Sequence, residues 1–142
     1  MSGHIFVDTN ILVYLFDAGT PAKQHQVQEI FSSQEHQKRL VLSTQVLQEF
    51  YVAVTRKLTI PLDSAKALQA VQDLSVLPVI QIDPPLIFLA IKRSQAARLS
   101  FWDALILEAA LIARATLLYS EDFQNGQVIG DLRIMNPFST DR

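Results

Sequence analysis

The sequence contains no cysteine among its 142 residues. A chain without thiols has no disulfide framework, no thiolate zinc site and no cysteine nucleophile. This absence is typical of a reducing compartment, so we expect a cytoplasmic location. His4, His25 and His36 are scattered and lack the close spacing of paired metal ligands, which argues against a zinc site built on histidine.

Long hydrophobic runs and an excess of positive charge are also missing. The most apolar stretches, 11–16 and 101–113, are too short or too interrupted by acidic residues to span a bilayer, and no secretory signal is visible. The formal net charge of −2 argues against a protein that coats nucleic acid through bulk electrostatics. An enzyme whose bound cations meet phosphate groups is compatible with this charge.

Hydrophobic residues make up 49% of the chain, which supplies enough apolar surface for one continuous core. Short apolar runs predict strands at 4–8, 39–43, 78–83, 116–120 and 132–136. Longer runs predict helices at 21–38, 45–57, 62–74, 84–98 and 101–114. This alternation predicts an α/β three-layer sandwich, with a five-stranded parallel sheet flanked by helices. We expect one domain over residues 1–138 and a short tail at 139–142.

Acidic residues recur where the predicted strands end, which is the edge at which open parallel sheets bind ligands. Asp8 follows the first strand, Glu49 lies in the segment after the second, and Asp122 follows the fourth. Asp103 stands in the first turn of an otherwise apolar helix. Carboxylates gathered at one edge repel one another and lose hydration, so a divalent cation would compensate them. Oxygen donors without cysteine favour magnesium or manganese.

Each of these acids also has a purely structural interpretation. Asp8 is a preferred residue type for a helix N-cap. The stretch "SFWD" is a variant of the capping box, with Asp103 in place of the usual Glu or Gln. Glu49 shares a helix face with two glutamines and fits a solvated surface, and Asp122 fits a turn before an Asn-Gly pair. Spacing alone leaves both interpretations open.

Four stretches together resemble the motifs of the PIN domain, particularly of VapC-type toxin ribonucleases. They are "FVDTNILVY", "STQVLQEFY", "SFWDALILEAA" and "LLYSEDFQNG", and their order and spacing agree across residues 6–137. The resemblance implies that the catalytic acids are Asp8, Glu49, Asp103 and Asp122. Asp8, Asp103 and Asp122 would chiefly bind metal, whereas Glu49 would position the ion through water or orient the attacking water.

The resemblance also implies supporting residues and partners. Asn10 and Ser120 match polar residues that support the acids, and Glu121 is an adjacent acid that competes with Asp122 for the fourth position. Relatives cleave RNA with magnesium or manganese, pair with an antitoxin protein and commonly form homodimers. An antitoxin is expected to cover the acidic edge and an apolar groove between 11–16 and 45–54. The aromatic candidates in that groove are Tyr14, Phe16 and Tyr51.

Basic residues near the acidic edge are candidates for contacts with RNA. They are Lys38, Arg39, Arg56, Lys57, Lys92, Arg93 and Arg98. A charge at the end of a helix is more often a solvated surface group than a phosphate contact.

Two other function classes are compatible with parts of the sequence. In a receiver-like signalling domain, Asp83 would accept a phosphoryl group and Ser120 would supply the hydroxyl after strand four. Against this, Asn136 stands where a receiver has lysine, and the two prolines after Asp83 make it a helix cap. The second alternative is a binding module that keeps the PIN fold without catalysis.

Overall fold

The computed structural model describes residues 3–139. Strands β1 to β6 are His4–Val7, Leu40–Ser43, Val79–Ile80, Ala115–Tyr119, Val128–Ile129 and Leu132–Met135. Helices α1 to α7 are Thr9–Tyr14, Pro21–Ser32, Gln34–Gln37, Thr44–Arg56, Ser64–Leu74, Pro84–Ala97 and Phe101–Ile112. The predicted α/β fold with a helix-flanked sheet is confirmed.

The strands form one sheet in the order β3-β2-β1-β4-β6-β5. β1 lies between β2 and β4 and is parallel to both, and the apolar residues Ile5, Phe6 and Val7 are fully buried. The chain runs outward from β1 through β2 to β3, and then crosses to β4 on the other side of β1. The strand order therefore reverses between β1 and β4, which is where an open sheet forms a crevice beyond its strand ends.

The structure adds one strand to the five that the sequence predicts. β5 is two residues long and pairs antiparallel with β6, so the sheet is mixed rather than wholly parallel. The turn between these strands contains Gly130, whose φ of +59° suits glycine at the start of a two-residue hairpin. In the sequence, the Gly-Asp pair of the Val-Ile-Gly-Asp run before the last strand is the signal for this hairpin turn.

The predicted helix 21–38 is divided into α2 and α3 by Ser33. Ser33 has an extended backbone (ψ 121°) and its Oγ accepts a hydrogen bond from the His36 N–H. Serine side chains offer the backbone such local hydrogen bonds in place of helical ones, which explains the break. An apolar pattern alone does not reveal it.

Helix α7 is buried on almost every side. Residues 104–110 are all buried, including Glu108, whose carboxylate pairs with the Arg93 guanidinium of α6. Because this helix is closely packed, the position of its first turn, which carries Asp103, is fixed by the core.

The end of the described chain packs against α1. The Phe138 ring contacts Tyr14 edge to face, with centroids 5.2 Å apart. Residues 140–142 of the predicted tail lie outside the described residues. Within residues 3–139, no helix is both long enough and apolar enough to cross a membrane.

Candidate metal centre and active site

Asp8 is placed at the carboxyl end of β1, next to the reversal of strand order. It is the N-cap of α1, because its Oδ1 accepts the Thr9 N–H at 2.7 Å. Its Oδ2 accepts a hydrogen bond from the Ser120 hydroxyl, also at 2.7 Å. Asp8 therefore caps a helix and belongs to a buried polar cluster as well.

Burial dominates the electrostatics of this carboxyl group. Asp8 is only 3% exposed, and its desolvation raises its pKa to about 7. The hydrogen bonds from Ser120 and Thr9 lower this pKa, whereas the negative charges of Asp122 and Glu49 raise it. A cation bound beside Asp8 would therefore stabilise its ionised form, which burial and the two neighbouring carboxylates disfavour.

Glu49 projects from α4 and is held at both of its carboxylate oxygens. Oε1 accepts the Thr9 hydroxyl at 2.7 Å, and Oε2 accepts the amide of Gln45 at 3.2 Å. The same Gln45 amide donates to the backbone oxygen of Trp102 at 3.1 Å, which links α4 to the first turn of α7. Glu49 is thus fixed in orientation, and the interpretation as freely solvated surface is wrong.

Asp103 combines a structural role with membership of the acidic cluster. Its backbone N–H donates to the Ser100 side chain at 3.0 Å, so Ser100 is confirmed as the N-cap of α7, whereas a reciprocal bond from the Ser100 N–H to the Asp103 carboxylate stays a prediction. Burial raises the pKa of its carboxyl group, a hydrogen bond with Ser100 lowers it, and the charges of Asp122 and Glu49 raise it further. Asp103 and Asp8 therefore lie in the electric field of the same two carboxylates.

Asp122 is exposed at the start of the connection after β4. Its N–H donates to the Ser120 hydroxyl at 3.0 Å, and that hydroxyl in turn donates to Asp8. Buried Ser120 therefore joins two of the acids. Asn10 supports the same connection, because its Oδ1 accepts the Glu121 N–H at 3.3 Å, while its side-chain nitrogen is buried without a hydrogen-bond partner.

Glu121, the neighbouring acid, is engaged elsewhere. Its Oε1 accepts the Tyr14 hydroxyl at 2.7 Å, and its Oε2 pairs with the Lys23 ammonium at 2.8 Å. Asp122, by contrast, acts electrostatically on Asp8 and Asp103. The structure therefore favours Asp122 over Glu121 as the fourth acid of the cluster.

An open cleft of about 680 Å³ is lined by two of the four acids, Glu49 and Asp122, and we call it the acidic cleft. Its lining includes Thr9, Asn10, Glu49, Asp122 and Lys57. Among the basic candidates, Lys57 thus faces the cleft, at the C-terminal end of α4.

Two other basic candidates have structural partners, and a third ends a helix. Arg39 donates to the backbone oxygen of Gly3, and Arg93 pairs with Glu108. Arg98 ends α6 in a left-handed conformation. Of the basic residues that the sequence nominates, Lys57 is best placed to meet a substrate in the acidic cleft.

The donor set fits a hard divalent cation in chemistry but does not form a closed cage. The candidate donors are carboxylate oxygens. The pKa of Asp8 is raised mainly by burial and further by the charges of Asp122 and Glu49, and a bound cation would offset both effects. Within residues 3–139, no three His, Cys, Asp or Glu side chains lie close enough together to hold an ion as they stand. Magnesium commonly binds through one or two carboxylates and keeps several waters, so an open arrangement suits it.

The aromatic candidates for a partner groove separate into different environments. Tyr14 bonds to Glu121, and Phe16 packs against Phe50 with centroids 5.4 Å apart. Tyr51 is 41% exposed and lines an apolar groove of about 420 Å³ between α4 and α5, together with Val52 and Leu68. The open apolar groove is therefore displaced from the predicted one toward α5.

Asp83 lies between β3, the strand at one edge of the sheet, and α6. Its side chain accepts the Leu86 N–H at 3.0 Å and caps α6. The cap predicted from the two prolines is confirmed, and the acidic cluster lies at the other side of β2, around β1 and β4. This placement disfavours the receiver-like alternative.

Two residues of the site were not singled out from the sequence. Thr9 connects Asp8 to Glu49 through its N–H and its hydroxyl, and Gln45 connects Glu49 to Trp102. A spacing of four places Gln45 and Glu49 on one helix face, which is a signal for their contact. The contact of Thr9 with Glu49 spans 40 positions and depends on the packing of α1 against α4.

Comparison with known proteins identifies the family of the fold. The sequence matches the family model of the PIN domain over residues 5–126, a range that contains all four acids. A comparison with curated protein sequences finds no significant match.

Solved structures of similar fold come from toxin-antitoxin systems. The Mycobacterium tuberculosis toxin VapC20, described as cleaving the sarcin-ricin loop, is 22% identical with a TM-score of 0.63, covering 83% of this chain and 89% of its own. A toxin-antitoxin complex from Klebsiella pneumoniae is 20% identical with a TM-score of 0.69, covering 96% and 98%. DNA-bound VapBC from Salmonella typhimurium is 20% identical with a TM-score of 0.64, covering 93% and 96%. At these identities the likeness shows the fold.

Proposed function

Because the chain belongs to the PIN domain family, we propose that it is a metal-dependent ribonuclease that hydrolyses RNA phosphodiester bonds. The observation that carries this proposal is a chain of hydrogen bonds at the reversal of strand order, in which Thr9 links Asp8 to Glu49 and Ser120 links Asp8 to Asp122. Asp103 lies in the electric field of Glu49 and Asp122. Four elements distant in sequence supply these carboxylates, and helix capping alone does not require Asp8 to be linked to two other acids. The structurally similar VapC20, described as cleaving the sarcin-ricin loop, supports RNA as the substrate class.

Asp8, Asp103 and Asp122 are the residues that would hold Mg²⁺ or Mn²⁺. When bound, such a cation lowers the pKa of a water and neutralises charge on the phosphate that is attacked. Ser120 and Thr9 fix the Asp8 carboxylate in place through its two oxygens. Asp122 is exposed and lines the cleft, so its carboxylate is accessible to a cation and to the substrate.

Glu49 would orient the attacking water. Its carboxylate is held by Thr9 and Gln45, and hydrogen bonds that fix an acceptor also fix the direction from which a water donates to it. Attack forms a bond between the water oxygen and phosphorus and breaks the bond from phosphorus to the 3′ oxygen. The leaving oxygen takes up a proton, so the products carry a 5′-phosphate and a 3′-hydroxyl. Lys57 would contact a phosphate of the RNA across the cleft.

We also propose that the protein is the toxin of a toxin-antitoxin pair. The apolar groove lined by Tyr51, Val52 and Leu68 shares Val52 and Gln48 with the acidic cleft. A partner segment that is apolar at one end and basic at the other would cover both surfaces, because apolar burial and charge neutralisation favour that arrangement. A cytoplasmic location and homodimer formation remain predictions from the sequence.

A cleavage assay tests the enzymatic proposal. Purified protein should cut RNA with millimolar magnesium or manganese, and EDTA should stop the reaction, whereas zinc should not be needed. Asp8→Asn and Asp122→Asn should each reduce the rate by orders of magnitude while the fold is retained. A folded wild type that binds RNA but never cleaves it would favour a non-catalytic binding module instead.

A further inference from the structure

We infer that Glu121 is a positioning residue, which with Lys23 and Tyr14 fixes the segment that carries Asp122. This inference rests on the proposed function, because its consequence is the affinity of the acidic cleft for a divalent cation. It assigns a role to an acid that otherwise competes with Asp122 as a metal ligand.

Three hydrogen-bonding groups of Glu121 are attached to α1 and α2. One carboxylate oxygen accepts the Tyr14 hydroxyl at 2.7 Å, and the other pairs with Lys23 at 2.8 Å. Its backbone N–H donates to Asn10 at 3.3 Å. Because Glu121 already pairs with the positive charge of Lys23, it attracts a cation less than a carboxylate without an ion partner does.

Lys23 is held more closely than an ordinary surface lysine. Its ammonium lies 4.8 Å from the ring centroid of Tyr14 and 5.0 Å from that of Phe138, and it is 3.2 Å from the Tyr14 hydroxyl. The two rings contact each other edge to face. Cation–π contacts and a fixed geometry make such a pair stronger than a freely solvated ion pair. We call Tyr14, Lys23, Glu121 and Phe138 the Glu121 anchor.

The anchor acts on Asp122 through the backbone. On one side of Glu121, buried Ser120 ends β4 and binds both Asp8 and the Asp122 N–H. Asp122 is exposed, and the residues that follow it lead to Gly126, which has a positive φ. Tying Glu121 to α1 and α2 therefore limits the directions in which Asp122 points, so less conformational entropy is lost when Asp122 binds a cation.

The anchor also pairs the negative charge of Glu121 with Lys23, so Glu121 competes less with Asp122 as a metal ligand. Lys23 neutralises Glu121, so Glu121 adds little net negative charge beside Asp122. If Glu121 were instead a ligand, loss of Lys23 would free it and strengthen metal binding. The two roles thus predict opposite effects of the same substitution.

The test measures Mn²⁺ binding directly, from the loss of the free-ion electron paramagnetic resonance signal, for wild type, Lys23→Met, Glu121→Gln and the double variant. We expect each single variant to weaken Mn²⁺ binding about tenfold, as for other residues that orient ligands, and the double variant to lose little more. Lys23→Arg should restore binding, and Glu29→Gln, on an exposed part of α2, should leave it unchanged. At saturating Mn²⁺, kcat for RNA cleavage should approach the wild-type value.

Amide hydrogen exchange supplies a readout that does not depend on metal. In EDTA, Lys23→Met and the milder Tyr14→Phe should increase exchange in residues 121–126, the connection after β4, with exchange in the sheet unchanged. Unchanged exchange there, or Mn²⁺ binding that tightens in Lys23→Met and disappears in Glu121→Gln, would overturn the inference. A wild type that shows the expected exchange but binds no Mn²⁺ would instead overturn the proposed function and leave the anchor as a structural element.

Discussion

Replacing Asp8 by Asn should make the metal-free protein more stable at alkaline pH. Burial raises the pKa of Asp8 from an ordinary 3.8 to about 7 in the folded protein. Between these two values the folded protein keeps a proton that the unfolded chain has lost, so the free energy of unfolding falls as the pH rises through this window. Above the folded-state pKa the loss is complete, and below the unfolded-state pKa it is absent.

The size of the effect follows from the linkage relation. One pH unit of such linkage corresponds to about 1.4 kcal/mol, so wild type should lose about 3 kcal/mol of stability from this group between about pH 5 and about pH 8. Asn keeps the shape and the bond from Thr9, and places an amide against Ser120, at a cost of about 1 kcal/mol that does not depend on pH. The mutant's stability relative to wild type should therefore rise by about 3 kcal/mol across this range.

Urea unfolding in EDTA measures this difference at the two pH values. Asp63→Asn is the control, because Asp63 caps α5 through the Lys66 N–H at 2.8 Å in an exposed position outside the cleft. That control should lose about 0.5 to 1 kcal/mol and should not gain on wild type at alkaline pH. If Asp8→Asn differs from wild type by the same amount at both pH values, the raised pKa and the proposed charge cluster are both refuted.

Three further predictions concern metal, substrate and packing. Asp103→Asn should lose most of the Mn²⁺-induced rise in unfolding temperature that wild type shows, whereas an equal rise in both would make Asp103 only a capping residue. Lys57→Gln should raise KM for RNA about tenfold with kcat retained, because Lys57 lines the cleft. Arg56→Gln, a change at its exposed neighbour, should leave KM unchanged, and equal effects of the two would show that only the overall positive charge matters. Arg93→Ala should lower the free energy of unfolding by about 1 to 3 kcal/mol, because it leaves Glu108, 7% exposed, without its ion partner, and an unchanged urea midpoint would contradict this.

The parts of the site that lie at strand ends could be predicted from the sequence. Asp8 and Asp122 follow apolar runs, and parallel strands bring their carboxyl ends to one edge whatever the loop lengths are. The caps at Asp83 and Ser100 were also predictable, because N-capping depends on residues within one helical turn. In these cases a local pattern determines the structure.

Contacts between distant elements could not be predicted in the same way. The bonds of Glu121 to Tyr14 and Lys23 span 107 and 98 positions, and they depend on how α1 and α2 pack beside the connection after β4. β5 escaped prediction because two residues are too few to show a period. The break at Ser33 escaped it because local side-chain bonding overrides an otherwise helical pattern.

The most direct test of the central claim is the origin and position of the oxygen added to the RNA. Wild-type protein should cleave RNA in water enriched in heavy oxygen, with manganese present, and mass spectrometry should find one heavy oxygen on the 5′-phosphate and a free 3′-hydroxyl. Asp8→Asn, purified in parallel, should give none of this product. Products ending in 2′,3′-cyclic phosphate, or cleavage that Asp8→Asn retains, would contradict a hydrolytic site built on these four acids.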